Sequence, residues 1–276
     1  MRIVRADLHN HLRTSSRMEG LFNPAIDRAV KMLGDGGIFG LVNFSDHRYE
    51  DFAGQKGYER ETFGNAIYVP EKDILVVKGQ EVPTTEGHLL VLGLKENNNL
   101  KEGRNVLDSI KEAKDENGIV IADHPFGRAG VGNFFVEEYN SHPPRDYFNL
   151  LDGWEIHNGE SALRIFGLTP KDANETARNI FGLYNLSAKG VAAITTSDGH
   201  SLYELGRSRM PLEMPDTYDS YGGMRSSEEI ISTLRGSLKK DKFAGHHGKM
   251  VDSKLGALEH AVDLIFLVGL SKLRIC

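Results

Sequence analysis

The sequence predicts an α/β barrel formed by a single domain. Three observations carry that expectation. Short strand-like apolar runs alternate with helical segments, seven such runs are present, and 276 residues are enough for one barrel. The runs are RIVRADL (2–8), IFGLVNF (38–44), ILVVKGQ (74–80), HLLVLGL (88–94), GIVIAD (118–123), GWEIH (153–157) and VAAITTS (191–197). Alternation of this kind marks a largely parallel sheet with crossover helices.

The helical segments are read from their ends. Asn23-Pro24 reads as an N-cap followed by proline in the first turn, with Gly36-Gly37 as the stop. NVLDSIKEAKDENG places Val106, Leu107, Ile110 and Ala113 at helical spacing, and Gly118 ends it. Thr169-Pro170 opens a run to Lys189, and SSEEIISTLRGS (226–237) has a cap and an acidic first turn. Asn97 to Asn99 form a loop, and PLEMPDTYDSYGG (211–223) reads as an irregular excursion able to cover a site. There is no internal repeat or low-complexity linker. The expected organisation is one domain over 1–276, with 211–276 as a C-terminal extension packing on the barrel.

Composition narrows the function. A net charge of -6 and a pI near 6.0 provide no overall basic field for a nucleic acid backbone, although a local patch stays possible. The only cysteine is Cys276, which excludes a disulfide framework and a cysteine zinc site and fits a reducing cytoplasm. Arg2, Arg5 and Asp7 interrupt any apolar core at the start, so no signal peptide is expected. The apolar run AVDLIFLVGL (261–270) contains Asp263, is too short to span a bilayer, and reads as a buried terminal helix. Nothing in the sequence sets an oligomeric state.

Ligands of parallel α/β barrels gather at the carboxyl ends of the strands. The first run delivers His9 and His11, the second Asp46 and His47, the third Glu81, the fifth His124, and the seventh Asp198 and His200. The fourth carries His88 at its start instead. Six of the eleven histidines thus stand at strand ends with three carboxylates. Imidazole nitrogen and carboxylate oxygen suit zinc, manganese and iron, and Glu81 has two oxygens with which to bridge two ions.

The pieces DLHNH, FSDH, GQE, GHLLVLG, ADHP, WEIHNG and TSDGH, in that order over residues 7 to 200, resemble the PHP family, named for polymerase and histidinol phosphatase. The resemblance implies a distorted seven-stranded (β/α) barrel with two or three divalent ions (zinc, manganese or iron) at its top. It assigns His9, His11, Glu81 and Asp198 to one ion, Glu81, His88 and His124 to a second, and His47 and His200 to a third. Where members usually place an aspartate or histidine for the third ion, this chain has Ser16 and Arg17, which leaves Glu19 to compensate. The stretch between His88 and His124 is too short for the inserted subdomain of some nucleotide-hydrolysing members, implying a more open active face.

Each residue also has a plain structural role to weigh. An isolated His-x-His pair is more often a surface feature; its place in the ordered set is what favours metal. Asp46 reads as a group orienting His47, and Glu155 and His157 as wall residues rather than ligands. His142, His246, His247 and His260 read as solvated loop residues, and Trp154 as core. Arg128, four residues beyond His124, is expected to anchor a phosphate, with Arg207 and Arg209 as weaker candidates. The implied chemistry is hydrolysis of a phosphate ester by a metal-activated hydroxide, with Glu81 and Asp198 as catalytic carboxylates. The expected partner is a small phosphomonoester, with long nucleic acid disfavoured by the acidic charge and no membrane. A nuclease or nucleotide phosphodiesterase using the same metals is the alternative, and a non-catalytic scaffold a further one.

Overall fold

The computed structural model describes residues 2–12, 20–95, 97–160, 172–214 and 226–239. Ser16, Arg17, Glu19, Thr169, Pro170, His246, His247, His260, the 261–270 run and Cys276 lie outside the described residues.

All seven sequence-predicted runs form strands of a single sheet: β1 (Arg2–Asp7), β2 (Gly37–Asn43), β5 (Ile74–Pro83), β6 (His88–Leu92), β7 (Ile119–Ala122), β8 (Gly153–Asn158) and β9 (Ala192–Thr196). They neighbour one another in that order, and the sheet curls until its ends meet. At the top, His11 donates its backbone N–H to the Gly199 carbonyl (2.7 Å), joining the exits of β1 and β9. Below, β10 (Met210–Met214) pairs antiparallel with β1 from Arg2↔Met214 to Ala6↔Met210 and lies beside β9. The stretch read as an irregular excursion therefore begins as a strand, because Met210, Leu212 and Met214 alternate inward and fill the barrel's open side.

The expectation of a largely parallel sheet needs one correction. β6 is antiparallel to both β5 and β7, following β5 through a tight hairpin in which Gly87 takes φ 140°. An antiparallel strand starts where its neighbours finish. This is why His88, at the head of β6, stands at the same end as Glu81 and His124. A second hairpin, β3 (Glu61–Thr62) with β4 (Ala66–Val69), pairs on the lower half of β5.

Helix α1 (Phe22–Leu33) begins one residue before the expected cap. Asn23 instead accepts from the Tyr58 backbone (2.8 Å), while Gln55 Oε1 accepts the Phe22 N–H (3.1 Å). Pro24 thus sits within the first turn, where no intrahelical donor is lost. α2 (Arg48–Ala53) follows β2, and α3 (Val106–Asp115) is capped by Asn105, which accepts from Asp108 N (2.8 Å). α4 (Gly132–Tyr139) and α5 (Ala173–Leu183) flank β8 and complete the outer layer. α6 (Ser227–Lys239) plugs the bottom of the barrel: Ile230, Ile231, Leu234 and Leu238 join Leu90, Leu92, Ile119 and Ile194 in the interior cluster. Fully burying such side chains contributes roughly 1.5–3 kcal/mol each. With the bottom filled by apolar groups, the buried histidines gather at the top. Among the described residues no helix is long and apolar enough to cross a membrane.

Candidate metal centre

Beyond Asp7 the chain stays extended, so His9 and His11 direct their rings to the same side and their Nε2 atoms come within 3.1 Å. Gly40 lets β1 pass this close to β2, because a Cβ there would lie 2.0 Å from the Leu8 carbonyl oxygen. His9 Nε2 and His11 Nε2 face Glu81 Oε2 at 3.9 and 2.8 Å and Asp198 Oδ1 at 3.4 and 3.6 Å. The other oxygen of Glu81, Oε1, faces His124 Nε2 at 3.1 Å and also contacts His88 Nδ1. One carboxylate thus divides its two oxygens between two histidine pairs.

Three donor groups result, each with ligand atoms within 4.8 Å of one another: His9, His11 and Asp198; Glu81, His88, Asp123 and His124; and Glu160, Asp198 and His200. Their fit to cations rests on unsatisfied atoms. Both carboxylate oxygens of fully buried Asp123, together with Asp198 Oδ1, His11 Nδ1 and His124 Nδ1, have no hydrogen-bond partner. A buried carboxylate left this way is costly unless a cation meets it. Among the described residues, no lysine or arginine pairs with Glu81, Asp123, Glu155 or Asp198.

A second set of residues orients the first. Glu155 Oε1 accepts from His9 Nδ1 (3.0 Å) and Thr196 Oγ1 (2.7 Å), and Oε2 accepts from His124 N (2.6 Å) and Asn158 Nδ2 (2.9 Å). This fixes the His9 tautomer and leaves Nε2 directed at the centre, the usual carboxylate–histidine support of a metal site. Asn158 also donates to Asp198 Oδ2 (3.1 Å), turning Oδ1 inward. Asp7 accepts from Ser197 N and Gly206 N (2.9 and 2.7 Å) and so pins both ends of the loop after β9. His124 (φ 25°) and Asp198 (φ 49°) both adopt left-handed backbone, a strained conformation that turns their side chains back over the barrel mouth.

The electrostatics follow from burial without fixed cations. Burial pushes Asp123 up to about 7 and Asp7 up to about 6, the latter despite its backbone hydrogen bonds. Burial would also raise Glu155, but the charges of His9 and His124 and their hydrogen bonds hold it at about 2. Glu81 behaves alike: burial opposes its ionisation, and hydrogen bonds from His11, His124, His88 and His9 hold it well below the carboxylate range. His11 is pushed down to about 4 by burial. His9 rises despite burial, under the charges of Asp198 and Glu155.

The structure brings together His9, His11, Glu81, His88, His124, Asp198 and His200. It does not bring in His47, whose side chain is 63% exposed and lies 3.9 Å from Glu50. His47 belongs to none of the three donor groups, because it is the N-cap residue at which α2 starts, four beyond the end of β2, and its ring turns outward. Asp46 does not orient it; its carboxylate accepts from Phe44 N (2.9 Å) and Arg48 Nε (2.5 Å). Glu160 stands beside His200 instead, the carboxylate lying 3.5 Å from Nδ1. Arg128 is exposed on the His124 loop, and Arg207 is half-exposed on the loop after β9. Sequence reasoning missed Asp123, Glu160 and Asn158. The signal was present, since each stands at the exit of β7 or β8, the position that singled out Glu81 and Asp198 on their own strands.

No family model and no curated protein sequence matches the chain. Solved structures do. A crystal structure of endonuclease Q with a 27-mer duplex substrate carrying an abasic lesion at the active site aligns with TM-score 0.53 and 15% identity, over 85% of this chain and 57% of that one. The lesion-specific endonuclease PfuEndoQ from Pyrococcus furiosus aligns with TM-score 0.49 and 14% identity, over 87% and 56%. The chain has a PHP-like fold. It spans a little over half the length of these endonucleases. The first of them corrects one expectation, that of a small substrate with long nucleic acid disfavoured, because endonuclease Q was solved with a duplex substrate. Net charge averages the whole surface, whereas backbone phosphates are met locally, so an acidic total does not exclude such a partner.

Proposed function

We propose that the chain is a metal-dependent hydrolase of phosphate esters that acts on phosphodiester bonds of nucleic acid. The observation that carries this reading is Glu81, which presents one oxygen to the His9–His11 pair and the other to the His88–His124 pair. His9, His11, Glu81 and Asp198 would hold one divalent ion, and Glu81, His88, Asp123 and His124 a second. Zinc, manganese or iron suits these donors. Two such ions supply an activated water at neutral pH and offset charge on the phosphoryl oxygens.

The protein's own part is placement. Glu155 and Asn158 keep His9 Nε2 and Asp198 Oδ1 directed at the centre, and Glu81 sets the spacing of the two groups. Glu160, Asp198 and His200 would form a third, more open position. Endonuclease Q, whose structure this fold resembles, was solved with a duplex substrate, which supports a polymeric substrate over a small one.

The test is elemental analysis of protein purified without chelator, combined with intact duplex, abasic duplex and single-stranded oligonucleotides. Two or more ions per chain, and strand scission abolished by chelator, are expected. Metal-loaded protein that leaves every oligonucleotide intact would overturn the nucleic-acid assignment.

A further inference from the structure

One group of arginines outside the donor cluster stands without ion-paired carboxylates. On the loop after β9, Arg28 of α1 donates from Nη2 to the Tyr203 carbonyl (2.6 Å) and from Nε to the Leu205 carbonyl (3.3 Å). Arg209 donates from Nη1 to the Gly206 carbonyl (2.9 Å), so two guanidinium groups are held on a single four-residue turn. Arg207 rises from the same turn, and Arg5 stands on the outer face of β1 opposite Pro211. None of the four forms an ion pair with a carboxylate among the described residues. Burial lowers Arg28 from its ordinary value, and the charges of Arg207 and Arg209 lower it further. Arg209 likewise feels Arg5, with only buried Asp7 to offset it. Tyr203, on the same turn, is 65% exposed.

Arginines gathered without a counter-charge cost free energy in the isolated protein, and a polyanion removes that cost. A guanidinium already fixed by carbonyl bonds retains further N–H donors in a planar fork that suits phosphate oxygens. An exposed tyrosine beside such a cluster offers a stacking face to a base. The turn is also tied to the donor cluster, because the loop that carries it begins at Asp198 and His200. Tyr203 follows His200 by three positions, so their Cα atoms are at most about 11 Å apart, roughly three nucleotide rises along a strand.

We infer that Arg28, Arg207, Arg209 and Tyr203, with Arg5 at the margin, form a phosphate-contact track that seats a nucleic acid strand within a few nucleotides of the metal centre. The inference rests on the nucleic-acid reading above and adds the surface on which the strand lies.

The test is the salt dependence of binding to fluorescein-labelled single-stranded and duplex oligonucleotides, read by anisotropy on the full chain. Each phosphate contact removed should reduce the log–log slope by about 0.7 for a single strand and 0.9 for a duplex. Arg28→Gln with Arg207→Gln should therefore flatten it by about 1.4 for a single strand and about 1.8 for a duplex, and weaken binding ~10-fold or more at physiological salt, while Arg207→Lys retains the slope. Tyr203→Ala should weaken single-strand binding with no change in slope. Arg145→Ala, which removes a partner of Glu138 away from the track, should alter neither. Metal content and thermal midpoint are followed in parallel. Should Arg28→Gln unfold the chain, Arg207→Gln alone carries the test, since that guanidinium makes no hydrogen bond among the described residues. Parental slope and affinity in the arginine variants would overturn the track and leave the nuclease reading standing. A parent that binds no oligonucleotide would overturn both.

Discussion

The two ends of the barrel both bury aspartates but treat them in opposite ways. At the bottom, Asp152 accepts from Val120 N (3.0 Å) and faces Lys114, Arg235 and Lys239 at 3.5, 3.7 and 3.7 Å. At the top, Asp123 has no hydrogen bond to either oxygen and Asp198 has none to Oδ1. The bottom is a finished surface in which each buried charge meets a counter-charge and α6 seals the apolar interior. The top is unfinished by the same standard. Its acceptors converge on small volumes lined by imidazoles rather than on lysine or arginine. Oxygens of Glu50, Glu112 and Glu116 also lack hydrogen bonds, but each faces a lysine or arginine, whereas Asp123 and Asp198 face none among the described residues, which marks the top for ligand binding.

The comparison breaks most decisively at Glu81. Glu81→Gln keeps the shape but removes the charge that serves both histidine pairs. Metal content should fall with activity, by more than the ~10–100-fold typical of residues that only support a ligand. Full metal occupancy by elemental analysis would end the bridging role. Glu155→Gln should give that intermediate loss, about 10–100-fold in metal affinity, since its amide would turn a donor toward His9, Thr196, His124 or Asn158. A competition titration against a chromogenic chelator reads it directly.

Asp123→Asn sharpens the contrast, because its sign depends on metal. In chelator-treated protein, relief of a buried unsatisfied carboxylate should raise stability by about 1–3 kcal/mol; in metal-loaded protein the lost ligand should lower it. Thermal unfolding with and without chelator separates the two. At the other end, Asp152→Asn should lower stability by roughly 1 kcal/mol in both states and leave metal content unchanged, since its cations are partly exposed. The smallest effect is expected at His47. His47→Ala should leave metal stoichiometry at the parental value, and a fall there would return this histidine to the centre.

The strands were legible because apolar runs bounded by polar residues report burial locally. All seven runs read from the sequence form strands, and His9, His11, Glu81, His124 and Asp198 lie at their carboxyl ends, where the strand-end rule places ligands. β10 escaped because Pro211 and Glu213 alternate with Met and Leu, a pattern that signals a strand only when a neighbouring edge is open to pair with it.

What the sequence by itself determined is which side chains stand at the ends of strands, since that follows from two-residue periodicity and the position of the last apolar residue. Tertiary structure decided which of them face one another. The antiparallel course of β6 brought His88 to the mouth, and left-handed backbone at His124 and Asp198 turned both inward. The start of α2 sent His47 outward, while the loop after β9 set Arg28 beside Arg207 and Arg209. Periodicity specifies side-chain direction only while the backbone stays regular. Past a strand's last residue, direction is set by one or two dihedral angles whose values depend on what the loop packs against.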